Sequence, residues 1–168
     1  MHMKALALCA GVAICSAPSL AIAQSITDPA SFAAVAASSN MFEIESSQLA
    51  LEKAEGDELR QFAQQMIDDH TLAGEKMKAA AEADGITPPA SLAEKEQLQL
   101  AQLESAKGAA FDQAYLSAQA MAHDEAVALF ETFSQSGDES ALRTFAAETL
   151  PTLQKHQSEV HELHEDAS

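Results

Sequence analysis

Four residues stand where a helical sequence ought to bury apolar side chains: Glu43, His70, His123 and His156. At a period of 3.6, His70 continues the stripe of Leu59, Phe62, Ala63, Met66 and Ile67. His123 shares a stripe with Leu116, Ala120, Val127 and Phe130, and His156 follows Leu142, Phe145, Ala146, Thr149 and Leu153. A buried imidazole needs a partner for each ring nitrogen, so each is either a hydrogen-bonded core group or a metal ligand. One carboxylate and three imidazoles form the donor set of a zinc, copper or iron site, because imidazole suits all three ions and the carboxylate adds charge. Asp69, Asp112 and Tyr115 are the groups expected to stand behind those ligands. In the competing reading, the same seven residues form a structural polar network.

For the four to meet, their segments must place them at one depth. Glu43 lies 13 residues before Gly56 and His70 lies 14 after it, which puts both about 20 Å from that turn if the segments are helical. His123 lies 14 residues before Gly137, again about 20 Å.

The punctuation supports helices throughout. Asp28 and Pro29 read as an N-cap with Pro at the first helical position, and Gly56 ends that segment. Asp57 is expected to cap a second helix running to about Ala83, before Gly85 and "TPPAS". Ser91 and Glu94 read as a capping box, opening a segment that Gly108 interrupts and that continues to Gly137. Asp138 is expected to cap the last helix, with Pro151 in its interior removing one backbone bond and bending it beside His156. "GDELRQFA" at 56–63 echoes "GDESALRTFA" at 137–146, as a duplicated helical hairpin would. The expected fold is all-α: a four-helix bundle built from two hairpins, with an extra short helix in the crossover connection.

Composition narrows the function. Apolar residues make up 47% of 168, there is no Trp, and the formal charge is −17. That charge excludes nucleic acid and anionic membrane surfaces as partners, since no Lys or Arg cluster offsets it. Residues 1–23 read as a cleaved signal peptide: a basic start, the 11-residue run "ALALCAGVAIC" and the small-x-small "AIA" before Gln24. The run is too short for a stable membrane anchor. Cys9 and Cys15 leave with it, so the mature protein, residues 24–168, is expected to be a periplasmic single domain without a thiol.

"MFEIESSQLAL", "QFAQQMIDDH", "FDQAYL" followed by "MAHDEAVALF", and "FAAETLPTLQKH" resemble the bacterial domain-of-unknown-function 4142 family, over about residues 30–163. The resemblance implies a secreted helical protein of the ferritin-like superfamily. The family pattern falls on Glu43, Asp69, His70, Phe111, Asp112, Tyr115, His123, Leu150, Pro151 and His156. It brings no established activity.

Di-iron chemistry is excluded by spacing. Such sites use Glu-x-x-His on two helices, whereas Ile67, Ala120 and Leu153 stand three residues before the histidines. There is no nucleophilic Cys, phosphate loop or nucleophile elbow. His161 and His164, three apart near the C-terminus, read as incidental surface residues, and Met66, Met77 and Met121 as core gap-fillers. Three readings remain: a metal-binding or metal-buffering bundle, a non-catalytic envelope or stress protein that binds a protein partner, and a mononuclear metalloenzyme with Tyr115 and Asp112 handling protons.

Overall fold

The computed structural model describes residues 26–166, five helices and no strand among them. The expected signal peptide, with its expected cleavage after Ala23, lies outside the described residues. The helices are α1 (Pro29–Lys53), α2 (Asp57–Ala83), α3 (Glu94–Ser105), α4 (Ala109–Ser136) and α5 (Ala141–Asp166). None is long and apolar enough to cross a membrane.

Short turns make α1 with α2 and α4 with α5 the two most closely packed pairs. The pairs join through α1 against α4 and α2 against α5, so the four long helices close a ring of contacts. The connection from Asp84 to Gly108 runs back along the ring, with α3 laid on α1 and α4.

The helix starts explain the alignment. Asp28 Oδ1 accepts the Ser31 amide at 2.9 Å and Pro29 opens α1, as the sequence predicts. The other caps differ. Gly56, with no side-chain bond, precedes α2, and Asp57 is already helical. Ala93 precedes α3 and donates its amide to Ser38 Oγ at 2.8 Å, so tertiary contact replaces the expected Ser91–Glu94 capping box. At α5, Ser140 Oγ accepts the Arg143 amide at 3.1 Å. The Asp84 carboxylate, from the end of α2, accepts the amides of Ala141 and Leu142 at 2.8 and 2.9 Å. A carboxylate from another helix thus neutralises this N-terminus, where orphan donors and the helix dipole both favour negative charge. Asp138, the expected cap, instead donates its amide to Thr27 O at 3.0 Å. Gly108 breaks the chain between α3 and α4 with φ +56°, a conformation that favours glycine. α5 runs unbroken through Pro151.

The core divides in two. One cluster, around Phe42, Phe62, Met66, Leu103, Phe111 and Tyr115, lies toward the α1–α2 turn. The other, around Phe32, Met77, Phe130, Phe133, Leu142 and Phe145, lies toward the α4–α5 turn. In the second, Phe32 stacks on Phe133 with centroids 4.0 Å apart, and Phe130 meets Phe32 and Phe145 edge-on at 5.0 and 5.8 Å. Of the methionines read as core, Met66 and Met77 are buried, but Met121 is 53% exposed.

Phe130→Ala should therefore cost about 3–5 kcal/mol through lost transfer energy and an unfilled cavity. Denaturant unfolding of wild type and variant checks this, and a loss under 1 kcal/mol would contradict the packing.

Candidate metal centre

Between the two apolar clusters lies a buried polar layer containing Glu43, His70, Gln119, His123 and His156. α2 supplies His70, α4 His123 and α5 His156, each 13 to 15 residues from a helix end, so equal rise brings them to one depth. Their ring centroids form a near-equilateral triangle with sides of 5.6, 5.6 and 5.5 Å. One nitrogen from each lies within 4.8 Å of the other two.

Each ring has one nitrogen tied and one bare. His70 Nδ1 lies 3.1 Å from Asn40 Oδ1, His123 Nδ1 lies 3.0 Å from the Gln119 carbonyl oxygen, and His156 Nε2 lies 2.9 Å from Asp69 Oδ2. A carbonyl or carboxylate oxygen can only accept, so those nitrogens carry the protons. The remaining nitrogens, His70 Nε2, His123 Nε2 and His156 Nδ1, are buried and have no hydrogen-bond partner. They are left as lone-pair donors. An oxygen acceptor behind each imidazole is also how metal-binding histidines have their tautomer and orientation fixed.

Electrostatics keep the lone pairs available. Burial holds His70 well below the ordinary imidazole value, and the neighbouring His123 and His156 push it further down. Burial also lowers His156, against the opposing pull of Asp69. Glu43 stands beside the trio, with Oε1 4.0 Å from His123 Nδ1, the proton-bearing nitrogen. Burial raises its carboxyl above the usual range despite His123 and Gln119, and its Oε2 has no partner.

The residues expected behind the ligands separate. Asp69 is in place. Tyr115 is eight residues before His123 on α4, about 12 Å along the helix; its hydroxyl lies 2.8 Å from Ser47 Oγ, within the Phe62 and Phe111 cluster. Asp112 is further off still and accepts the Glu55 amide at 3.2 Å, closing the α1–α2 turn against α4. His161 and His164 face α4 rather than each other, through Asp124 at 2.9 Å and Ser117 at 3.2 Å.

Sequence reasoning missed Asn40, Gln119 and Gly74. The signals were present: Asn40 is three residues before Glu43, Gln119 four before His123, and Gly74 four after His70, each one helical turn away on the same face. A Cβ on Gly74 would lie 2.9 Å from Asn40 Nδ2. The glycine therefore gives Asn40 room to reach His70.

These features define an all-helical protein with a buried, tautomer-fixed three-histidine centre. The chain belongs to the family described as "Domain of unknown function (DUF4142)", which it matches over residues 15–163. No curated protein matches it in sequence. Among solved structures it is similar in fold to "CopM in the Cu(II)-bound form", with 17% identity and a TM-score of 0.70 over 85% of this chain and 100% of that one. A second, "CopM in the Ag-bound form (by co-crystallization)", has 17% identity and a TM-score of 0.67 over 84% and 98% of the two chains.

The lowered histidines set a sign for pH dependence. In the unfolded chain they take up protons below pH 6.5, whereas folded His70 and His156 resist protonation. Their contribution is complete above 6.5 and is lost as pH falls toward the folded values, by up to about 1.4 kcal/mol per group per pH unit. Glu43 acts oppositely, because its raised carboxyl binds a proton sooner folded than unfolded, so acidification toward its ordinary 4.5 favours the fold. With two groups against one, metal-free protein should lose stability between pH 6.5 and 5.5, and His70→Ala should flatten the slope. Denaturation midpoints measured in chelator across that range check it.

Proposed function

We propose that this protein is a secreted, periplasmic metal-binding helical bundle that holds a copper-class ion through His70, His123 and His156, with Glu43 as a charge-balancing group beside His123 Nδ1. The four long helices form a ferritin-like four-helix bundle with α3 in the crossover, and residues 24–168 constitute its single mature domain. The observation that carries the reading is a cluster of three buried histidines that bring one nitrogen each within 4.8 Å of the others and leave one nitrogen each without a partner. A structural network would pair those atoms, since each unsatisfied buried acceptor costs about 1–3 kcal/mol. A metal ion satisfies all three at once.

The donors fit such an ion. Nitrogens sharing one ion at about 2.0–2.1 Å stand about 3–4 Å apart, so small rotations of the rings close the trio. Copper is favoured over zinc or iron on two grounds. Divalent copper binds a given nitrogen and oxygen site most tightly in the first-row series, and the fold is shared with a protein solved with Cu(II) and with Ag. Glu43, whose carboxyl burial pushes upward, would be drawn back toward its ionised form by a cation and so balance part of the charge. Asp69 and Asn40 position His156 and His70 rather than touching the ion.

Untagged protein beginning at Gln24, which intact-mass measurement of the secreted form should yield, is the material for the test. Cu(II) should bind with one-to-one stoichiometry and raise stability over the chelated protein by about 2.7 kcal/mol at 100-fold excess over Kd. His70→Ala, His123→Ala and His156→Ala should each abolish that shift, and Asp69→Asn should weaken affinity by about 10–100-fold. A shift that survives all three histidine substitutions would move the binding to His161 and His164 and overturn the proposal.

A further inference from the structure

An ion bound for the buried histidines must pass between helices, and the ring of four long helices has four seams. Two are the hairpin seams, α1 with α2 and α4 with α5, the most closely packed contacts in the molecule. The third, α1 against α4, carries α3 on its outer face. A half-open cleft beneath α3 reaches Asn40 and His70, but Val35, Met77, Leu129 and Phe130 line it, and His70 Nε2 is buried. A hydrated cation would shed water against those walls and gain no partner in exchange. The fourth seam, α2 against α5, has no helix laid across it among the described residues.

That uncovered seam is polar at the depth of the centre. Asp69 Oδ2 on α2 lies 2.9 Å from His156 Nε2 on α5, and the Asp69 side chain is 40% exposed while the ring behind it is 1% exposed. One turn further along the same seam, Gln65 Nε2 donates to Glu159 Oε2 at 2.9 Å. Glu159 also pairs with Lys155 and is 33% exposed. Two carboxylates therefore stand between solvent and the His156 ring. The other rings are tethered out of reach: His123 by a carbonyl of its own helix, and His70 by Asn40 at the foot of the apolar cleft. Of the three histidines, only His156 is joined to a charged group that solvent reaches.

We infer that cations enter the centre through the α2–α5 seam, with Asp69 the first group to meet them. Asp69 thus acts twice, taking the cation in transit and positioning His156 once the centre is filled. Negative charge at the mouth raises the local cation concentration and the rate of encounter. As Asp69 pairs with an arriving cation, its hold on His156 Nε2–H loosens, and the ring turns about its side-chain torsions to uncover the inward nitrogens. This path presupposes the metal reading of the three histidines.

Association is followed by stopped flow on untagged protein at low ionic strength, with Cu(II) quenching Tyr115, the single Tyr of a chain without Trp. Only the phase that His70→Ala removes is counted, which sets aside ions held by surface histidines. Two charge reversals form matched arms. Glu159→Lys lies three residues from His156 at the seam, and Glu125→Lys two residues from His123 beside the cleft, and each glutamate has one lysine partner. Glu159→Lys should slow association by about fivefold or more and Glu125→Lys by less than about twofold, with the gap closing in about 0.5 M salt as the field is screened. Asp69→Asn keeps an oxygen acceptor for His156 but loses the charge, so its loss of affinity should come mainly from slower association. No slowing by Glu159→Lys, equal slowing by the two reversals, or an Asp69→Asn loss confined to faster dissociation would overturn the inference while leaving the metal reading intact. Absence of the counted phase in wild type would defeat the metal reading, and the path with it.

Discussion

Three imidazoles pack against one another inside a folded chain, each with one ring nitrogen that has nothing to bond to, and the rest of the architecture follows from how that arrangement is maintained. Bare nitrogens in an apolar interior are costly, and protonating them there is costlier still. The layer persists because apolar clusters above and below it supply the stabilising burial, with Phe62, Phe111 and Tyr115 on one side and Phe32, Phe130 and Phe133 on the other. The division of the core is therefore what allows a polar floor in the middle of long helices that would otherwise be filled with Leu and Ala.

Orientation comes from elements distant in sequence. Asn40 reaches His70 across 30 residues and Asp69 reaches His156 across 87. Neither contact survives a change of register between helices. The register is set at the ends: the Asp84 carboxylate holds the start of α5 against the end of α2, and Asp112 ties the α1–α2 turn to the start of α4. Asp112 thus serves the centre from a distance, by fixing which turns of α1 and α4 face each other.

The sequence made the inward histidines legible because helical periodicity is local, and it made their common depth legible because turns at Gly56 and Gly137 give each helix an origin. The all-helical fold, the five helices and the family followed from the same local information. What was not legible depends on tertiary contact. The cap of α5 is supplied by Asp84 from another helix, not by Asp138 beside it, and Ala93 takes the place of Ser91 because Ser38 receives its amide. Tyr115 and Asp112 share an inward or helix-start position with the site but lie two or three turns away from it. Asn40 and Gly74 were readable only as a pair, since the glycine's role is the space it leaves for a side chain on α1.

The account's central claim is that oxygen acceptors fix each ring so that the three bare nitrogens converge. Long-range proton–nitrogen correlation spectra of the imidazoles, recorded on metal-free protein at pH 7.5 and again after one equivalent of Ag(I), test it most directly. The account predicts Nδ1-protonated tautomers for His70 and His123, an Nε2-protonated tautomer for His156, and a change on silver addition confined to His70 Nε2, His123 Nε2 and His156 Nδ1. Mixed or reversed tautomers in the metal-free protein, or bare nitrogens indifferent to the ion, would contradict it.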